Sequence, residues 1–117
     1  MNRVHDNMAA FEAETLTELT PFKGRSLLQV CHSVAVVHAD LLLIHPFREG
    51  NGRLARWLAD IMVAQADYPL PLYRFEGRGS REIRKRYLSA VQAGYLRRYE
   101  PLSDFFRDAV GRRLDLP

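Results

Sequence analysis

The sequence predicts an all-α fold, a compact bundle of about five helices around one strongly apolar helix. Three observations lead there. Apolar residues recur at helical spacing in several separate segments, and no segment sustains the alternation of a half-buried strand. Clusters of proline and glycine fall between those segments, where a chain of helices must turn. Apolar residues make up 47% of the 117-residue chain, enough for one packed core and too many for a globally disordered chain.

Residues 3–19 read as a short amphipathic helix, with Val4, Met8, Phe11, Leu16 and Leu19 near one face. The run Thr20-Pro21-Phe22-Lys23-Gly24 breaks it, and Ser26 is placed to cap a second helix. That second helix spans about 26–44. It is apolar on almost every face, from Leu27 and Leu28 to Leu43 and Ile44, which marks a helix buried among others. Pro46 ends it, because the residue before a proline avoids the helical region. A tight loop with Gly50 and Gly52 comes next, then a helix from about 52 to 66 with Leu54, Trp57, Leu58, Ile61, Met62 and Ala66 at helical spacing and Trp57 assigned to the core. Pro69 and Pro71 require an extended stretch over 68–72, and Gly77 and Gly79 bracket a further turn. Helices near 80–97 and 101–113 complete the chain, with Tyr87, Leu88, Val91, Tyr95, Leu102, Phe105, Phe106 and Val110 available for packing.

The loop between the two central helices carries the chemistry. It reads His45-Pro46-Phe47-Arg48-Glu49-Gly50-Asn51-Gly52-Arg53-Leu54-Ala55-Arg56. Two glycines let backbone N–H groups turn toward one point without side-chain obstruction. The helix that starts there adds unpaired N–H groups and a partial positive charge, a ready anion site. Arg53 and Arg56 share a helix face and can reach the same anion, and Asn51 adds a neutral donor. Glu49 is the one acid in the loop, suited to supply one ligand to a magnesium ion held mainly by phosphate oxygens and water. His45 is a candidate base for a hydroxyl nucleophile. Base, metal ligand, anion cradle and arginine pair together point to nucleotidyl or phosphoryl transfer.

Charge and cysteine usage narrow the setting. The formal charge is +3, from 17 Lys and Arg against 14 Asp and Glu, too small by itself to indicate nucleic-acid binding. The basic run Arg74…Arg78…Arg81…Arg84-Lys85-Arg86 reads as a solvated helix face balanced by Glu76 and Glu82. The single cysteine, Cys31, reads as buried filler and suits a reducing compartment. No signal peptide is recognised, and no stretch approaches the roughly 20 apolar residues of a bilayer span, so a cytoplasmic location without membrane attachment is expected. His32 and His38 read as core histidines with polar partners and not as zinc ligands with His45. Tyr73 and Tyr87 are candidates either for core packing or for flanking an adenine.

The segment from His45 to Arg56 resembles the signature of the Fic (filamentation induced by cAMP) family, H-P-F-x-[D/E]-G-N-G-R-x-x-R, and every fixed position matches. The apolar helix before it and the run Tyr87…Leu88…Pro101-Leu102…Phe105-Phe106 look like the rest of a Fic core. The resemblance implies a protein adenylyltransferase that moves AMP from ATP to a Ser, Thr or Tyr hydroxyl of a target protein. It implies His45 as the base, Glu49 as the holder of Mg2+, Gly50, Asn51 and Gly52 as an anion hole, Arg53 and Arg56 as holders of the β- and γ-phosphates, and Phe47 as the anchor of the loop. The GNGR form is similar to the AMP-transferring majority and unlike the related Doc kinases, which depart at the second glycine and at the acid.

Two features depart from the family pattern. The β-hairpin flap that Fic domains carry upstream of the motif is not found, and residues 1–117 are read as a single Fic-like domain, cut short at the amino end or built without the flap. The inhibitory pattern [S/T]-x-x-x-E-[G/N] is also not found, which leaves inhibition to missing residues or to a separate antitoxin. The alternative is a catalytically inactive Fic-like module that holds nucleotide or a partner within a toxin–antitoxin pair.

Overall fold

A computed structural model of the chain describes residues 7–9, 25–44 and 50–115. Its long helices are α1 (Leu27–Ile44), α2 (Asn51–Gln65), α3 (Ser80–Tyr95) and α4 (Glu100–Leu114), and residues 7–9 are helical. Among the described residues there is no strand, and the fold is all-α. The rest of the helix expected over 3–19 lies outside the described residues.

Helix α1 begins where its cap was expected. Ser26 Oγ accepts from Gln29 N–H at 3.2 Å, and Gln29 Oε1 accepts from Ser26 N–H at 2.9 Å. This reciprocal pair satisfies two donors that the helix itself leaves open. Beyond the cap, Val30, Cys31, Val34, Ala35, Val37, His38, Ala39, Leu41 and Leu42 are all buried. A helix with so little polar surface is stable only when others cover it, and α1 packs against α2, α3 and α4, while α3 also packs on α4. The sequence expectation that no stretch approaches a membrane span needs amending. The 18 residues of α1, with a mean hydropathy of 1.8, suffice by length and composition to cross a bilayer. In this fold they form the central helix of the bundle.

Helices α3 and α4 cover α1 through regular apolar stripes. Tyr87, Ala90, Val91 and Gly94 form that of α3; Leu102, Phe105, Phe106, Ala109 and Val110 form that of α4. Burying a phenylalanine contributes roughly 1.5–3 kcal/mol, so Phe105 and Phe106, both fully buried, are main contributors to the core. Gly94 marks the closest approach, since a Cβ there would lie 2.7 Å from Cβ of Ala39. Leu88, expected to pack, is instead 60% exposed.

Helix α2 corrects a second expectation. Its buried stripe is Ala55, Ala59, Met62 and Val63, continued by Ala66, while Trp57 is 59% exposed and Ile61 also faces solvent. Of the expected stripe Met62 and Ala66 are buried and Leu54 and Leu58 pack partly buried against the core, so only Trp57 and Ile61 fall on the outer face. The contact with α1 is a seam of alanines, which lets two helix backbones approach closely and leaves no room for an indole.

The proline segment after α2 is fastened onto α4. Leu72 N–H donates to Ala109 O at 2.9 Å, and Arg112 Nη1 donates to Leu72 O at 2.9 Å. This holds Tyr73 and Phe75 against the core, where their rings stack at 5.4 Å between centroids. Gly77 and Gly79 then turn the chain into α3 with φ of +86° and +81°, as two bracketing glycines predict.

Candidate nucleotide site at the head of helix α2

Gly50 is the N-cap of α2 and adopts the left-handed region, φ 82° and ψ 7°. A side chain there would meet no neighbour, so glycine is favoured by the backbone conformation and not by crowding. The Gly50 carbonyl accepts the first helical bond from Leu54 N–H at 2.9 Å, and no side chain among the described residues caps the helix. The start of α2 carries the positive end of the helix dipole.

Two residues of the predicted cradle are brought together above this helix start. The Arg56 side chain folds back along α2, and its Nη1 lies 3.2 Å from where a Cβ on Gly52 would stand. The absence of a side chain on Gly52 gives the guanidinium its place. Asn51 is buried at the first helical position, whereas Arg53 is exposed to solvent. His45, Phe47 and Glu49 lie outside the described residues.

The surroundings of Arg56 come from parts of the chain distant in sequence. Its guanidinium carbon sits 5.6 Å from the centroid of the Phe75 ring, within the range of a cation–π contact. Burial pushes the Tyr87 phenol up to about 12, against the lowering effect of the nearby Arg56 guanidinium. Tyr87 O–H in turn lies 2.6 Å from Nε2 of His38, and Nδ1 of His38 lies 3.1 Å from Ala55 O. A carbonyl only accepts, so Nδ1 carries the proton and Nε2 accepts from Tyr87. One directed chain of donors thus runs from Tyr87 through His38 to the backbone of α2.

Two of the sequence readings are settled by this geometry. Tyr87 is buried and committed to His38, and half-buried Tyr73 donates to Asp60 Oδ1 at 2.8 Å while stacked in the aromatic cluster, so Tyr87 belongs to the core and Tyr73 packs against it. His38 is the core histidine expected, with both ring nitrogens in use and its pKa lowered to about 4, first by burial. His32 is not a core residue: it is exposed, with its ring edge-on to Tyr99.

Asp60, one turn beyond Arg56, has its carboxyl raised by burial, against the lowering effects of Tyr73 and Arg56. Neither Asp60 nor Phe75 was singled out for this site from the sequence, and Tyr87 was a candidate for the core or an adenine and not for Arg56. Phe75 and Tyr87 are too distant from the motif along the chain for a local pattern to reveal them. Cys31 is buried, and its thiol is pushed up to about 11 by that burial, an inert filler as expected. The basic run is exposed to solvent as expected, as are Glu76 and Glu82, and within it Arg86 pairs with Asp108 of α4 at 2.7 Å.

The described residues contain no group of three His, Cys, Asp or Glu able to hold a metal ion. The donor set at the head of α2 is cationic and amide-rich, which fits a polyphosphate directly. It fits magnesium only as an ion carried with that polyphosphate and touched by a single carboxylate.

Comparison with known proteins agrees with this arrangement. A family model described as the Fic/DOC family matches residues 3–63. The chain is 38% identical to a protein adenylyltransferase Fic of Nematostella vectensis over 80% of its own length and 20% of that protein. It is 32% identical to one of Aedes aegypti over 70% of its length and 15% of that protein. It is 30% identical to one of Culex quinquefasciatus over 77% of its length and 17% of that protein. The chain therefore spans a fifth or less of the relatives it matches. No solved structure matches it at a significant level. With more than half of its residues inside the family match, the chain belongs to the Fic/DOC family.

Proposed function

We propose that this chain transfers AMP from ATP to a Ser, Thr or Tyr hydroxyl of a protein substrate. The observation that carries the reading is the Arg56 guanidinium folded over Gly52 at the start of α2. Charge and backbone donors there converge on the space a polyphosphate would fill. The names of the relatives support adenylyl transfer over other uses of such a cradle.

In this reading His45 takes the proton from the attacking hydroxyl. The hydroxyl oxygen bonds to the α-phosphorus, the α–β bridging bond breaks, and pyrophosphate leaves with that electron pair. Gly50, Asn51 and Gly52 offer donors to phosphate oxygens, and Arg53 and Arg56 hold the β- and γ-phosphates. Magnesium bound with the nucleotide supplies counter-charge, and Glu49 is the residue that would hold it. Phe47 anchors the loop. A separate inhibitory protein is the partner class this reading allows besides the substrate.

Incubating the protein with ATP labelled at the α-phosphate, magnesium and a cell lysate tests the assignment. Covalent label on protein that is lost in a His45→Ala variant is the expected result. Transfer of γ-label in place of α-label would make the chain a kinase. Tight ATP binding with no transfer of either label would leave it a binding module.

A further inference from the structure

We propose that Phe75 and Tyr87, both outside the signature segment, are positioning residues that hold the Arg56 guanidinium over the head of α2 for polyphosphate. The inference rests on the adenylyltransferase reading for the identity of the ligand, but not for the positioning itself.

An arginine side chain has many rotamers, and freezing one is costly unless its surroundings select it. Three contacts select this one. The Phe75 ring lies beside the guanidinium, with 5.6 Å from its carbon to the ring centroid. The Tyr87 hydroxyl lies within reach of its charge, which opposes the rise of that phenol. The missing side chain of Gly52 leaves open the position that Nη1 occupies.

Neither holding residue is itself free to move. The Phe75 ring stacks on Tyr73 at 5.4 Å and on Phe105 at 6.0 Å, both nearly parallel. The Tyr87 hydroxyl commits its proton to His38 at 2.6 Å, so its oxygen can offer Arg56 only lone pairs. Tyr87 is buried from α3, Phe75 comes from the segment fastened to α4, and Arg56 belongs to α2. The rest of the bundle thus fixes the one motif arginine that the motif alone leaves mobile. Exposed Arg53 has no such support, which makes Arg56 the preorganised member of the pair and Arg53 the adaptable one.

The test combines a spectroscopic readout with an affinity split. The Nε–H signal of Arg56 is identified by nuclear magnetic resonance through its loss in Arg56→Ala. In wild type it should lie away from the position of a free arginine because of the adjacent ring. In Tyr87→Phe and Phe75→Leu it should move toward the free position, and Phe75→Tyr should restore it. ATP affinity by calorimetry should fall about 5-fold in Tyr87→Phe and about 3-fold in Phe75→Leu, with AMP affinity unchanged within about twofold. An Arg56 signal that stays in place in both variants overturns the inference, whatever ATP does. A signal that moves, together with unchanged ATP affinity in Arg56→Ala, supports the positioning and overturns the polyphosphate reading. Equal losses for ATP and AMP in Tyr87→Phe would show a general structural effect and would also overturn the inference.

Discussion

Gly50 and Gly52 stand two apart in the same turn, yet glycine serves a different purpose at each. At Gly50 the space is open and the backbone is left-handed at φ +82°, so Gly50→Ala costs conformational energy of about 1–2 kcal/mol. At Gly52 a Cβ would press on the Arg56 guanidinium at 3.2 Å, the far end of a flexible chain that can swing away. Gly52→Ala should therefore leave the urea midpoint unchanged or raise it, since alanine favours the helix, while ATP binding weakens through a displaced Arg56. Gly50→Ala should lower the midpoint and leave Arg56 where it is. The same change in both variants, by urea denaturation and calorimetry, would show that the two glycines act alike and that Gly52 does not make room for Arg56. The turn and the Ser26 cap were legible in the sequence because both are local: a glycine or a capping serine acts within a few residues of itself. The partners of Arg56 were not legible, because Phe75 and Tyr87 reach it only once three separate elements have packed.

Helix boundaries obey the same logic. Proline and glycine mark ends locally, and the observed α1, α3 and α4 begin and end within about two residues of the expected spans. The face of α2 could not be read that way. Size and hydrophobicity nominated Trp57 and Ile61, but two helices close on each other where side chains are small, and Ala55 and Ala59 took the interface. The α1–α3 contact has the same character at Gly94, whose absent Cβ would stand 2.7 Å from that of Ala39. Both atoms are short and fixed to helix backbone, so neither can rotate away. Gly94→Ala must push α1 and α3 apart, at a cost of about 1–3 kcal/mol from overpacking, despite the better helix propensity of alanine. Gly111→Ala is the control, because a Cβ there meets nothing within 4 Å and the same propensity gain should appear as added stability. A stability gain in both variants would show that α1 and α3 are not in tight contact at this point.

At the scale of the whole molecule, one buried polar group ties the bundle together. His38 stands on α1, donates to Ala55 O of α2 at 3.1 Å, accepts from Tyr87 of α3 at 2.6 Å and packs edge-on to Phe106 of α4 at 5.0 Å. Its folded pKa is lowered from the ordinary 6.5 to about 4, first by burial and then by the charge of Arg56, against the raising effect of the Ala55 hydrogen bond. Between pH 6.5 and about 4 the unfolded chain binds a proton at His38 that the folded chain refuses, so stability is complete above 6.5 and declines as the pH falls toward 4. Asp60 acts in the opposite sense, because burial raises its carboxyl and protonation near the carboxylate range then favours the folded state. The measurement therefore belongs between pH 7 and 5, above the carboxylate range. Over that interval His38 should account for a loss of about 2 kcal/mol. Urea unfolding of wild type and His38→Gln at each pH gives the slope directly. The variant starts from lower stability, having lost a fitted ring, but its curve should be flatter by that amount, while contributions from the other histidines cancel in the difference. Parallel curves for the two proteins would mean that His38 titrates normally in the folded state, and the donor chain from Tyr87 to Ala55 would then lack its fixed direction.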